Sequence, residues 1–141
     1  MNDAAQAGAR AAARPGGTGA LSLAEIRAAV DGTALWCPDE SPAVTGVVAA
    51  DLMSDVLVDA RPGHVLVTGL VNVQVVRTAA IADLAAVVFA RGKTVPADVV
   101  DLARQMNVPI LSTRRSLFEA AGSLYEALEG RAPAKGARQG A

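Results

Sequence analysis

The chain has 141 residues, 52% of them hydrophobic, with 13 Lys and Arg against 14 Asp and Glu, one His and one Cys. That length suits one domain with its own core. The single Cys37 excludes an internal disulfide and makes a reducing cytoplasm the simplest location, while one Cys and one His are too few for a zinc centre. Only four residues are aromatic, so Val, Leu, Ile and Ala must build the core, as they do in parallel strands covered by helices.

Residues 1–20, MNDAAQAGARAAARPGGTGA, hold Ala, Gly and Arg with no large apolar side chain beyond Met1. They bury too little surface to offset the entropy of ordering, and residues 131–141 are alike, so both read as flexible tails around a domain at 21–130. The domain opens on Ser22-Leu23-Ala24-Glu25, the spacing of a capping box, which predicts a short helix to about Val30. A strand is expected over Thr33–Cys37. After the turn Pro38-Asp39-Glu40-Ser41-Pro42 a second strand is expected over Val44–Ala49. Apolar residues at 52, 53, 56 and 57 then follow helical spacing, with Asp51 placed to cap that helix and Asp55 in an early turn. His64 follows Pro62-Gly63 and starts the strand Val65-Leu66-Val67, which ends at Thr68-Gly69.

Beyond this point strands at 85–89 and 109–111 alternate with helices at roughly 72–82, 96–106 and 115–128. Val71-Asn72-Val73-Gln74-Val75 alternates like a strand, yet its place in the series makes it a helix with Asn72 near the cap. Strands alternating with helices predict a three-layer α/β fold: a mainly parallel sheet with helices on both faces.

One stretch invites a phosphate-binding reading. Leu84 to Thr94, LAAVVFARGKT, runs a buried strand into Gly-Lys-Thr. The full motif needs a glycine at position 87, where Val87 stands, and Pro96 removes an amide from the following turn. The stretch is a strand, a polar turn and a helix. Charge excludes further classes: residues 21–130 hold eight Lys and Arg against thirteen Asp and Glu, a net of −5, which argues against a nucleic-acid surface. No run is long and apolar enough for a membrane span, and the first residues lack the apolar segment of a secretory signal.

The segments AADLMSDVLVDARPGHVLVTG (49–69), LAAVVFARGKTVPADVVDLARQMNVPILST (84–113) and SLFEAAGSLYEAL (116–128) together resemble the DRTGG domain in its stand-alone form. The resemblance spans about residues 22–129. It implies a fold similar to the N-terminal domain of HPr kinase/phosphorylase and a regulatory or interaction role, since related domains sit beside CBS pairs in inorganic pyrophosphatases and within long phosphotransacetylases. Stand-alone members accompany hydrogenase or other redox genes, which implies a partner enzyme of that kind and a small anionic or nucleotide-like ligand. Where many members carry an acidic residue and an arginine after the middle strand, this chain has Leu70-Val71-Asn72.

Two functions compete. The first is a non-catalytic regulatory module without metal or cofactor, expected to be homodimeric because a layered sheet of this size leaves apolar helix faces uncovered. Its ligand or partner would touch the carboxyl ends of the parallel strands, where Asp51, Ser54, Asp55, Thr68, Gly69, Asn72, Ser112 and Thr113 gather. The second is a small enzyme using Asp51 and Asp55, four residues apart on one helix face, as acid and base. The bland roles of these residues, as caps, turns and solvated positions, compete with both.

Overall fold

A computed structural model describes residues 20–131. The expected tails at 1–20 and 131–141 lie, apart from Ala20 and Arg131, outside the described residues.

The chain enters through β1 (Leu21–Ser22) and α1 (Leu23–Ala29). The capping box is formed: the Glu25 amide donates to Ser22 Oγ at 3.1 Å and the Ser22 amide to Glu25 Oε1 at 2.9 Å. Then follow β2 (Thr33–Trp36), β3 (Ala43–Val44), β4 (Gly46–Ala49), α2 (Met53–Asp59), β5 (His64–Thr68), α3 (Val73–Ile81), β6 (Ala86–Phe89), α4 (Ala97–Met106), β7 (Ile110–Ser112) and α5 (Leu117–Arg131). The main sheet has the order β2-β7-β6-β5-β4. Its last four strands run parallel, and β2 joins antiparallel to β7 at the edge.

This order follows from connectivity. Each parallel pair needs a helical crossover, and right-handed crossovers between successive neighbours put all their helices on the same side. Accordingly α2, α3 and α4 cover one face, through Val56, Val75, Val76, Ala79, Val99 and Ala103. The other face is covered by α1 and α5, through Leu23, Ile26, Ala120 and Leu124. The strand alternation divides the core between the layers: Val65, Val67, Ala86, Val88 and Leu111 point toward α1 and α5, while Leu66, Val87, Phe89 and Ile110 point toward α2, α3 and α4. The three-layer α/β expectation holds.

Three local readings need correction. The single strand expected over Val44–Ala49 is two: β3 leaves the main sheet to pair antiparallel with β1, and β4 begins at Gly46. The His64 ring lies against this break, since a Cβ on Gly46 would fall 2.5 Å from its Nε2. Any larger residue there would have to displace the ring. The helix expected from Asp51 starts at Met53 with Leu52 as its cap, so Asp51 lies in the preceding loop. The last helix, expected from about 115, starts at Leu117 behind a capping box, Ser116 with Glu119, whose spacing repeats that of Ser22 and Glu25. The ambiguous segment at 71–75 is helical. Asn72 Oδ1 accepts from the Val75 amide at 3.2 Å and ends the extended backbone there.

Candidate functional site

Because β4, β5, β6 and β7 are parallel, the loops that follow them share one edge. At its centre is Thr68, the last residue of β5 and fully buried. Its Oγ1 donates to Asp51 Oδ1 at 3.0 Å and accepts from the Leu70 amide at 3.1 Å. The Gly69 amide donates to the same Asp51 oxygen at 2.7 Å. Asp51, freed from the helix, thus bridges from the β4 loop to the β5 loop. The Gly69 amide holds its carboxyl below the usual carboxylate range, burial opposes this, and Thr68, Arg91 and Lys93 add to the lowering.

The β6 loop closes over this bridge. The Lys93 ammonium donates to the Gly69 carbonyl. Arg91 Nε and both Asp51 carboxylate oxygens sit within 3.7 Å of where a Gly69 Cβ would stand, so cation and carboxylate flank the same backbone atom. Arg91 has φ 73° and Gly92 φ 65°, two successive left-handed residues. For a side chain as large as arginine that conformation is strained by about 1–2 kcal/mol.

Those left-handed residues do not form a phosphate loop. The Arg91 amide donates to the Arg115 carbonyl and the Gly92 amide to the Thr113 carbonyl, both at 2.8 Å. A nest would turn these donors toward a ligand. Here they zip the β6 loop to the β7 loop, and Val87 occupies the interior of β6.

The sequence-predicted residues separate into three groups. Asp51, Thr68 and Gly69 are brought together. Asn72 caps α3, and Thr113 is buried with its Oγ1 donating to the Val30 carbonyl at 2.6 Å, which ties β7 to the end of α1. Ser112 ends β7, half-buried and paired with Phe89 and Thr33. Ser54 and Asp55 are exposed in the first turn of α2 and hydrogen-bond to none of the cluster. With Asp51 outside the helix, the i, i+4 face proposed for Asp51 and Asp55 does not exist.

The sequence reading passed over the cations. Arg91, Lys93, Arg114 and Arg115 all lie in the two zipped loops, half of the eight in residues 21–130. Arg115 is engaged with Asp31 at 2.7 Å, Ser123 and the Ala29 carbonyl. The signal was present: Ala-Arg-Gly-Lys and Thr-Arg-Arg-Ser each follow a strand directly. Among the described residues no cluster of His, Cys, Asp and Glu suits a metal ion, and no helix is long and apolar enough to cross a membrane. Burial pushes the Cys37 thiol up, with Glu40 adding, so it is a poor nucleophile.

Layering, strand order and this edge define an α/β domain of the open, mainly parallel class. Its sequence matches the DRTGG domain family over residues 25–127, and the chain belongs to that family. Comparison with curated proteins finds no match. Among solved structures it is similar to the CBS and DRTGG domains of the regulatory region of Clostridium perfringens pyrophosphatase, crystallised with the activator diadenosine tetraphosphate. The TM-score is 0.65 at 16% identity, a likeness of fold, covering 79% of this chain and 50% of that one.

Proposed function

We propose that the domain is a non-catalytic regulatory module that receives an anionic ligand, nucleotide-like or simpler, at the carboxyl edge of its parallel strands, and passes the signal to a partner enzyme in the cytoplasm. The observation that carries this reading is the gathering of half the domain's cations at one edge of an otherwise acidic body, with strained Arg91 among them. Strain of this kind persists where surrounding structure enforces it, and it concentrates at binding sites. The regulatory setting of the pyrophosphatase domains, with their nucleotide activator, supports the same assignment by analogy of fold. A hydrogenase or another redox enzyme is the proposed partner, on the family resemblance alone.

An enzyme using Asp51 as acid or base is disfavoured. General acid–base work at neutral pH needs a carboxyl raised toward 7, and the Gly69 amide moves Asp51 the other way. A phosphate-loop kinase is disfavoured because the Arg91 and Gly92 amides are already spent on carbonyls.

Calorimetric titration with inorganic phosphate, AMP, ATP and diadenosine tetraphosphate tests the reading. At least one should bind, more weakly as salt rises, and Arg91→Ala should weaken it about tenfold or more, the loss of one charge-assisted contact. Absence of binding by all four would remove the anionic ligand from the proposal. Hydrolysis of magnesium-ATP abolished by Asp51→Asn would overturn the non-catalytic assignment.

A further inference from the structure

The carboxyl edge carries its charges in a fixed order. The sheet sets the loops side by side at about 4.8 Å per strand, with Asp51 after β4, Gly69 after β5, Arg91 and Gly92 after β6 and Arg114 after β7. The stem of Arg114 lies against Gly92, since a Cβ there would be 3.6 Å from both its Cα and its Cγ. Both arginines are exposed, and among the described residues neither guanidinium has a hydrogen bond or ion pair. The β6 and β7 end of the edge therefore presents two unpaired cations on loops already zipped together through their backbones. Toward β4 the edge presents an acceptor. Both bonds that Asp51 accepts fall on Oδ1, so Oδ2 keeps its lone pairs on an exposed side chain. Arg91 Nε and the Asp51 carboxylate oxygens each lie within 3.7 Å of where a Gly69 Cβ would stand, so cation and carboxylate are at most about 7 Å apart. A single carbon on Gly69 would touch both, and glycine leaves the gap between them open.

A carboxylate beside two cations discriminates among anions. A bare anion held by Arg91 comes within range of the negative charge on Asp51 and is repelled by it. A ligand that turns hydroxyl groups toward Asp51 meets an acceptor instead, because an ionised carboxyl only accepts, and a hydroxyl bound to a carboxylate makes one of the stronger hydrogen bonds. Phosphate oxygens suit the planar forks of the two guanidinium groups at the other end. We infer, resting on the anionic ligand proposed above, that this edge takes the phosphate ester of a sugar, with the phosphate on Arg91 and Arg114 and the sugar hydroxyls on Asp51 Oδ2. A ribose 5-phosphate group has this form, its phosphate and its vicinal hydroxyls standing at opposite ends of one small ring. Free sugar phosphates and nucleotides share it. Inorganic phosphate and polyphosphate do not, since fully ionised they bring no hydroxyl for Asp51. The carboxylate thus selects against the simple anions that the arginines alone would admit.

Calorimetric titration of the full chain without divalent metal, using inorganic phosphate, ribose 5-phosphate, AMP and dideoxy-AMP lacking both ribose hydroxyls, tests the inference. AMP should bind at least tenfold more tightly than phosphate and than its dideoxy form, the worth of one charge-assisted bond. Ribose 5-phosphate binding as well as AMP would assign a sugar phosphate as the ligand, and tighter AMP binding a nucleotide. Asp51→Asn keeps an acceptor for the Gly69 amide and is measured where circular dichroism shows it folded. In that variant the preference for hydroxyls should vanish while phosphate binds as tightly as before or more tightly, because the repulsion is gone. A variant that weakened all four ligands alike would overturn the inference, by making Asp51 a support of the edge and no more. Wild type binding phosphate or dideoxy-AMP as tightly as AMP would overturn it too and leave the anionic ligand standing, whereas no binding by any of the four would remove both.

Discussion

Removing the Asp51 carboxylate tests whether the edge is built as described. In Asp51→Ala the buried Thr68 hydroxyl loses its acceptor, and the Gly69 amide loses the 2.7 Å bond to a charged oxygen. A hydrogen bond to a charged group contributes about 1.5–3 kcal/mol and a neutral one about 1. Because Asp51 is itself exposed and water can replace part of its role, the expected loss is about 2–3 kcal/mol rather than the full sum. In a domain of this size that lowers Tm by roughly 10–15 °C. Asp51→Asn keeps a neutral acceptor and should lose about 1 kcal/mol. The pH dependence has a definite sign. The folded carboxyl titrates below its ordinary value of 3.8, so its contribution is fully present above that value and is lost as pH falls through the lower folded one. Thermal melts by circular dichroism, at one protein concentration and from pH 7 downward, should therefore show wild type and Asp51→Asn converging in acid. An Asp51→Ala variant that melts with wild type at pH 7 would refute the bridge.

Further outcomes follow from other parts of the fold. Arg91→Gly relieves the left-handed strain at φ 73° and should leave Tm unchanged or raise it, by about 0.5–1 kcal/mol, while weakening anion binding; a clear loss of stability would show that the side chain is structural. Gly46→Ala forces a Cβ to within 2.5 Å of His64 and should lower Tm by several degrees, and His64→Ala should cancel most of that loss in the double variant. Burial lowers the His64 pKa, with Arg61 adding, so stability tied to this residue is complete above its ordinary 6.5 and fades as pH drops toward the folded value. Melting profiles of wild type and His64→Ala between pH 7.5 and 5 would reveal it, and parallel profiles would count against it. Thr113→Val removes the bond to the Val30 carbonyl and the acceptor for the Arg115 amide, and should cost about 1–3 kcal/mol by chemical denaturation.

The amino-acid order determines much of this protein without reference to its tertiary contacts. Ser22 and Glu25 announce a helix start because the capping bonds reach only three residues. The Val-rich runs at 65–67 and 85–89 announce buried strands, and their alternation with helical spacing leaves a layered, mainly parallel sheet as the only economical arrangement. The same locality made the missing glycine at Val87 decisive against a phosphate loop. Tertiary structure decided what distance in sequence conceals. Whether Asp51 caps its own helix or crosses to Thr68 and Gly69 depends on where β5 ends beside β4, seventeen residues on. Thr113 resembled a ligand-facing hydroxyl until α1 placed the Val30 carbonyl against it, 83 residues away. The cations of the β6 and β7 loops became a cluster only through strand adjacency. A local pattern records the bonds a residue makes within its own turn, whereas a side chain that finds its partner across the sheet carries no trace of that partner in its neighbours.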